Sequence, residues 1–164
     1  MEFMPGVLQR EASDELLDRI GRHFEQNNFG LFAAELRATQ TFIGFVGIDV
    51  PSFDAPFMPS VEIGWRLAAE HWGKGLATEG AREVLRYAFE TVGLHKIVSF
   101  TIPAIRRSRR VMEKVGMTHN PADDFEHPRL PVGHAFRRHV LYRLCRTEWL
   151  SKTHSPIFPG QHSP

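Results

Sequence analysis

The chain has 164 residues, 42% of them hydrophobic, and a formal net charge of +1 at pH 7. This length and hydrophobic content predict a single domain with one core. The near-neutral charge gives no support for a protein that binds nucleic acid through bulk positive charge, so we expect no nucleic-acid partner. Cys145 is the single cysteine, which excludes an internal disulfide.

The sequence also bears on location and metal content. Residues 1–6 lack the charged and apolar regions of a secretory signal, and no apolar run is long enough to span a bilayer. With the single cysteine, these features predict a cytoplasmic protein without a membrane partner. The nearest histidine cluster is His127, His134 and His139, whose spacings match no common zinc pattern, so we predict no bound metal.

The first predicted elements are a helix and a hairpin. Ser13 is a typical N-cap residue, and the helix that follows it is expected to end near Gln26. The apolar residues at helical spacing are Leu16, Leu17, Ile20 and Phe24. Residues 29–37 and 42–50 then predict two antiparallel strands, and residues 51–60, with three prolines, predict a loop.

A strand, a glycine loop and a helix are predicted next. Residues 61–67 alternate strictly between apolar residues and a second set, which is typical of a strand. The second set, on the opposite face of the strand, is Glu62, Gly64 and Arg66. A loop over residues 70–79 then leads into a helix over residues 76–92, which Gly93 is expected to end.

The last predicted elements are a strand over residues 95–102, a helix over residues 106–115 that Gly116 closes, and a final strand over residues 137–146. Residues 119–135 are rich in Pro, Asp and His and predict a long loop.

This order of elements predicts an α/β or α+β domain, with a mixed sheet flanked by helices. The domain is expected to occupy residues 1–150. Residues 151–164 are rich in Ser, Pro, His and Gly and predict a flexible tail.

The glycine loop is the strongest chemical signal in the chain. Gly73 and Gly75 remove side chains that would block close approach, and the first turn of the next helix offers unpaired N–H groups to an anion. The loop therefore predicts a cradle for a diphosphate, with a plain tight turn as the alternative. An ATP-binding domain is less well supported, because neither Walker spacing nor Gly-x-Gly-x-x-Gly is present.

Three blocks of sequence resemble the GCN5-related N-acetyltransferase (GNAT) family, and within it the branch of ribosomal-protein N-terminal acetyltransferases. They are Val-Glu-Ile-Gly-Trp-Arg-Leu at residues 61–67, Trp-Gly-Lys-Gly-Leu-Ala-Thr-Glu at residues 72–79, and Ser-Arg-Arg-Val-Met-Glu-Lys-Val-Gly-Met at residues 108–117. The resemblance covers most of residues 3–150. It implies a mixed, mostly antiparallel sheet and acetyl transfer from acetyl-CoA to a primary amine, either a protein N-terminus or a small amine.

The resemblance also implies a coenzyme A site. The pantetheine arm is expected between the strands at residues 61–67 and 95–102, with the pyrophosphate on the backbone of the glycine loop. The residues expected to contact the coenzyme are Trp72, Gly73, Lys74, Gly75, Leu76, Ala77, Thr78, Phe100, Thr101, Ile102 and Ser108.

Glu62 and Ser108 are the candidate catalytic residues. Glu62 would accept the proton of the attacking amine, directly or through water, because it shares a strand face with Gly64, which leaves room there. The alternative is a solvated carboxylate paired with Arg66. Ser108 would donate a hydrogen bond to the departing thiolate, and its alternative is an ordinary serine that caps its own helix.

The chain departs from the family pattern at two residues and in its first elements. Ile105 stands where the family has an asparagine, and Met112 where many members have a tyrosine general acid. Residues 3–6 resemble the stretch before the family's second helix, so we expect the first strand and helix to be missing. Residues 29–37 would then form an open sheet edge on which two copies could pair. These departures keep open a rival function, a coenzyme A-binding module with impaired catalysis.

Overall fold

The computed structural model describes residues 10–153, in which four helices and seven strands follow one another. The helices are α1 (Arg10–Asn27), α2 (Leu76–Arg86), α3 (Arg106–Lys114) and α4 (Arg146–Thr153). The strands are β1 (Leu31–Leu36), β2 (Thr41–Asp49), β3 (Val61–Leu67), β4 (Lys96–Thr101), β5 (Thr118–His119), β6 (Phe125–Glu126) and β7 (Arg138–Cys145).

The seven strands form one mixed sheet in the order β1-β2-β3-β4-β7-β5, with β6 paired to β7 beside this path. Strands β3 and β4 run parallel, and every other described pair is antiparallel. The predicted mixed, mostly antiparallel sheet flanked by helices is confirmed. Within residues 10–153, no helix is both long enough and apolar enough to cross a membrane.

The two faces of the sheet carry separate apolar clusters. The larger one includes the completely buried Ile63 and Ile97 and joins the sheet to α2, α3 and α4. Phe57, Val98, Phe125 and Leu141 form the smaller cluster. Because side chains alternate along a strand, Glu62 and Val98 lie on the opposite face from Ile63 and Ile97. Glu62 is therefore on the face of the smaller cluster.

Several predicted boundaries are wrong by a few residues. Helix α1 begins at Arg10, so Ser13 lies inside the helix rather than at its N-cap. The predicted helix over residues 76–92 is α-helical as far as Arg86 and continues as a π-helical turn, Tyr87–Thr91. Within that turn, the Val92 N–H donates to the carbonyl oxygen of Tyr87 at 3.0 Å. The helical pattern thus marked the segment correctly but could not show its change of pitch.

Two predicted irregular segments contain regular structure. The predicted loop at residues 119–135 includes β6 and, at its start, the end of β5, because both short strands gain backbone hydrogen bonds from β7. Ser151 and Thr153, placed in the predicted tail, belong to α4, which is anchored by the buried Trp149. Residues 154–164 and the family-like stretch at residues 3–6 lie outside the described residues.

Candidate active site

The site begins where strands β3 and β4 stop pairing. Their parallel register consists of Val61 with Ile97 and Glu62 with Val98. The Ser99 hydroxyl donates to the carbonyl oxygen of Ile63 at 2.9 Å, just past the last pair. Beyond this point the C-terminal half of β3 remains paired with β2, but on the side of β4 it borders a groove.

That groove has a volume of about 750 Å³, within the range of ligand pockets. Its walls are the end of β3, the glycine loop, and the first turns of α2 and α3. The lining residues are Trp65, Arg66, Leu67, His71, Trp72, Gly73, Gly75, Leu76, Ala77, Thr78, Ala104, Ile105, Arg106, Arg107, Ser108, Arg110, Val111 and Lys114.

The glycine loop presents its backbone to the groove. Gly73 and Gly75 have φ values of +75° and +81°, a left-handed conformation that favours glycine. A Cβ added to either residue would meet no atom within 4 Å, so the space beside both glycines is open. Gly75 is the N-cap of α2 and provides no side-chain hydrogen bond, so the first N–H groups of that helix remain available to a ligand. The Trp72 indole Nε1 donates to the carbonyl oxygen of Leu67 at 2.7 Å, which attaches the loop to β3.

A second helix begins at the same groove. Ile105 is the N-cap of α3 and makes no side-chain cap, so this first turn also keeps free N–H groups. Ser108 is the third residue of α3 and is half-buried in the groove wall. The alternative in which Ser108 caps its own helix is wrong, because the cap position is held by Ile105.

The groove is strongly cationic. Arg66, Arg106, Arg107, Arg110 and Lys114 all line it. The Arg107 guanidinium lies 5.1 Å from the centre of the Trp72 ring, over its face. Positive side chains together with two uncapped helix N-termini suit a ligand that carries several phosphates.

Among the described residues, one buried ring nitrogen at the groove has no hydrogen-bond partner. His71 lines the groove, and within the described residues its Nδ1 is buried without a hydrogen-bond partner. A buried polar atom of this kind is costly unless a ligand or water completes its hydrogen bonding. The residues present therefore fit coenzyme A.

Glu62 lies at the closed end of the opening between β3 and β4, outside the residues that line the groove. It faces Asp49 across the β2–β3 pair. Burial, followed by the nearby negative charge of Asp49, raises the pKa of Glu62 to about 8. The alternative for Glu62 was a solvated carboxylate paired with Arg66. Its partner is wrong, since no ion pair within residues 10–153 joins Glu62 to Arg66.

The model of the acetyltransferase (GNAT) domain family matches residues 1–118 of the chain. This chain belongs to the GNAT acetyltransferase family. A relative from Aspergillus fumigatus, FsC-acetyl coenzyme A-N(2)-transacetylase, is 39% identical over 104 residues, which are 60% of this chain and 44% of the relative. The chain spans about half the length of the curated relatives it matches.

Two further comparisons concern the branch and the fold. The putative ribosomal N-acetyltransferase YdaF of Bacillus subtilis is 33% identical over 89 residues, covering 54% of this chain and 46% of YdaF. An acetyltransferase from Agrobacterium tumefaciens has a solved structure that superposes with a TM-score of 0.64 at 27% identity, covering 85% of this chain and 74% of the other. The predicted family and fold are confirmed.

The groove contains many of the residues expected to bind coenzyme A. Those that line it are Trp72, Gly73, Gly75, Leu76, Ala77, Thr78 and Ser108. Lys74 is exposed and does not line the groove. Phe100, which lies in the aromatic cluster with Phe53 and Phe125, and the buried Thr101 and Ile102 are also absent from its lining.

Sequence reasoning missed part of this GNAT site. Trp65 belongs to the apolar set of β3 but also lines the groove, and His71 lines it although neither residue is among the predicted site residues. Three arginines of α3, Arg106, Arg107 and Arg110, also line the groove and are not among the residues expected to contact the coenzyme. Arg109 instead donates to the Tyr142 hydroxyl at 3.3 Å. The available signal was helical periodicity, which separates Arg109 from its neighbours but does not say which face meets a ligand.

The positions that depart from the family pattern are also located. Met112 is buried in the main core, with 1% of its surface exposed, so it has no polar role in the groove.

His127 and His139 pack together with ring centroids 5.0 Å apart, while His134 packs on Phe136. Burial lowers the pKa of both His127 and His139.

Proposed function

We propose that this chain binds acetyl-CoA in the groove between β3, α2 and α3 and transfers the acetyl group to a primary amine. The observation that carries the proposal is the opening after the Glu62–Val98 pair, which leads into a cationic groove with two uncapped helix N-termini. Acetyl-CoA supplies an acetyl group already activated as a thioester. The protein's task is then to position the reactants and to move one proton.

Glu62 is the proposed general base. The amine nitrogen forms a bond to the acetyl carbon, the carbon–sulfur bond breaks, and the nitrogen gives up a proton. Glu62 accepts that proton directly or through a water molecule. Because its pKa is raised to about 8, Glu62 holds a proton more strongly than an ordinary carboxylate does, which suits transfer from an ammonium group near neutral pH.

Ser108 is the proposed hydrogen-bond donor to the leaving thiolate. It lines the groove at the first turn of α3, where the partial positive charge of the helix N-terminus also favours a developing anion. A hydroxyl of ordinary acidity can donate this hydrogen bond without losing its proton. The thiolate finally takes a proton from solvent.

The proposed acceptor is a protein N-terminus or a small amine. A ribosomal protein N-terminus is one candidate, supported by the sequence blocks and by the likeness to YdaF. A small amine would equally satisfy the chemistry at Glu62. The single cysteine supports a cytoplasmic location for this reaction.

The test combines binding with turnover. Titration calorimetry with acetyl-CoA measures binding, and release of free coenzyme A thiol in the presence of a panel of peptides and small amines measures transfer. We expect acetyl-CoA to bind and at least one amine to release thiol faster than water alone. Absence of acetyl-CoA binding would overturn the proposal at its first step.

A second candidate is a coenzyme A-binding module that does not catalyse transfer. Ile105 favours it, because it replaces a polar N-cap at the groove with an apolar side chain. Acetyl-CoA binding without thiol release for any amine in the panel would support this candidate over the enzyme.

We also propose that two copies associate through β1. This strand pairs with β2 at one end of the described sheet. The nearby Phe32 and Phe42 are 38% and 62% exposed, and an open apolar edge favours pairing with another strand. Size-exclusion chromatography with light scattering should show a dimer that Phe42→Lys weakens, and a wild-type monomer at high concentration would contradict this assembly.

A further inference from the structure

His23 on α1 is held between two hydrogen-bond acceptors. Its Nδ1 lies 2.9 Å from the carbonyl oxygen of Phe29, and its Nε2 lies 2.9 Å from Asp49 Oδ1. A neutral imidazole has one N–H group and can satisfy one acceptor, whereas an imidazolium donates to both. The Val50 N–H also approaches Nε2 at 3.2 Å, but it has a shorter contact, 2.9 Å, with Asp49 Oδ1. An imidazolium at this position would donate to both acceptors, and its contact with Asp49 would then be an ion pair.

Asp49 connects this histidine to the proposed base. It is the last residue of β2 and pairs directly with Glu62 on β3. Residues opposite each other in an antiparallel pair place their side chains on the same face of the sheet, about 5 Å apart at Cβ. His23, Asp49 and Glu62 thus form a continuous row from α1 to the closed end of the opening between β3 and β4.

We propose that His23 and Asp49 are positioning residues that set the protonation of Glu62, so that it accepts a proton in the pH range where the amine is to be deprotonated. This inference rests on the proposed function for its consequence in catalysis. The Asp49 charge disfavours ionised Glu62, and a positive charge on His23 would offset part of that effect. The two residues act through Glu62 and do not themselves contact the reactants.

The charged and titratable groups around this row come from several elements. On β4 its partner is the apolar Val98. Beyond Val98, Arg143 of β7 is held by Asp123 at 2.9 Å. On the same sheet face lie Arg66, two residues along β3, and the rings of His127 and His139, which pack on Phe100 and Phe125. Arg19 and Arg22 border the recess of about 170 Å³ at His23 and Asp49. This recess gives the pair access to solvent, so protons can exchange.

Two substitutions move the protonation of Glu62 in opposite directions. Asp49→Asn removes the negative charge but keeps an oxygen for the Val50 N–H, so the pKa of Glu62 should fall by about one unit. His23→Gln keeps a donor for Asp49 but removes the positive charge, so the pKa of Glu62 should rise by about half a unit. The matched control is Glu35→Gln on the exposed side of β1, which changes the net charge without facing Glu62.

The experiment uses the full chain and two readouts. Carboxyl carbon NMR, with the Glu62 signal assigned through Glu62→Gln, reports the titration of Glu62 without any need for activity. The pH dependence of kcat/KM for thiol release reports the base in catalysis. We expect both midpoints to move down in Asp49→Asn, up in His23→Gln, and to stay unchanged in Glu35→Gln.

The outcomes separate this inference from the proposed function. A Glu62 titration that is the same in wild type, Asp49→Asn and His23→Gln overturns the inference. A Glu62 titration that moves while the kinetic midpoint stays fixed overturns its catalytic part. An inactive wild-type protein overturns the proposed function, whereas the NMR readout still decides whether His23 and Asp49 control Glu62. Far-ultraviolet circular dichroism verifies that each variant is folded.

Discussion

The two ends of the groove are built in different ways. The phosphate end consists largely of backbone groups, namely the glycine loop and the first turns of α2 and α3. The Glu62 end consists of side chains from three separate elements, with His23 and Asp49 behind Glu62. A site made of backbone groups is formed by consecutive residues, whereas a site made of side chains depends on how distant elements pack. The first should tolerate most changes of side chain, and the second should be sensitive to single charges.

The largest expected effect is the loss of acetyl-CoA affinity when a side chain fills the open space beside Gly75 at the phosphate end. Gly75→Glu puts a negative side chain where a Cβ now meets nothing within 4 Å and forces a non-glycine residue to adopt φ +81°. We expect the affinity for acetyl-CoA to fall about 100-fold or more, because the carboxylate repels the phosphates. Titration calorimetry measures this loss.

Gly93→Glu is the matched control for that substitution. Gly93 has φ +78° and equally open surroundings, but it follows the π-helical turn at the other end of the α2 segment. It should suffer the same backbone strain and keep its affinity for acetyl-CoA. Equal loss of affinity in both variants would show that strain, rather than the phosphate site, explains the result.

Substitution at the Glu62 end should lower turnover and leave the affinity for acetyl-CoA nearly unchanged. Glu62→Gln keeps the shape of the side chain and removes the base, so kcat should fall about 100-fold or more. The affinity for acetyl-CoA should stay within about threefold of wild type, because Glu62 does not line the groove. Steady-state thiol release and calorimetry measure the two quantities, with Glu35→Gln as the control. An unchanged kcat would leave Glu62 with a structural role.

The same contrast explains how much of the fold could be predicted. Strand β3 has the predicted bounds because its strict alternation extends over all of Val61–Leu67. Gly116 ends α3 as predicted, with φ +91° and hydrogen bonds from Gly116 N–H to Glu113 and from Met117 N–H to Met112. Strands β5 and β6 could not be predicted, because two residues each carry no pattern and they depend on pairing with β7.

For the site, the glycine loop could be located because its residues are consecutive. The row from His23 through Asp49 to Glu62 could not, since it requires the β2–β3 register and the packing of α1, neither of which a single sequence specifies. The raised pKa of Glu62 likewise results from burial in the folded protein.

That raised pKa has a consequence for stability. The pKa of Glu62 is about 8 in the folded protein, against 4.5 for an ordinary glutamate side chain. Below pH 4.5 the carboxyl is protonated in both states and has no effect. As the pH rises from 4.5 towards 8, the unfolded chain releases the proton while the folded chain holds it, so folding becomes less favourable.

Glu62→Gln cannot ionise and should escape this loss. Its melting temperature relative to wild type should rise between pH 5 and pH 8 and level off above pH 8, with a gain of about 10 °C. Thermal unfolding at a series of pH values measures it. A difference in melting temperature that is constant with pH would mean that the pKa of Glu62 is close to its ordinary value in the folded protein.

The smallest effect is expected from a substitution at the N-cap of α3, where a side chain could take up the backbone N–H groups proposed to bind the ligand. Ile105 holds the N-cap position without a side-chain hydrogen bond. Ile105→Asn should supply that bond and stabilise the protein by about 1 kcal/mol, as chemical denaturation would measure, with Ile105→Ala as the control that removes the side chain without adding a cap. If the stabilisation appears without acetyl-CoA and shrinks when it is bound, then the ligand and the asparagine compete for the same N–H groups. An equal gain in both conditions would mean that the first turn of α3 does not contact the ligand, and that α2 alone provides the backbone part of the phosphate end.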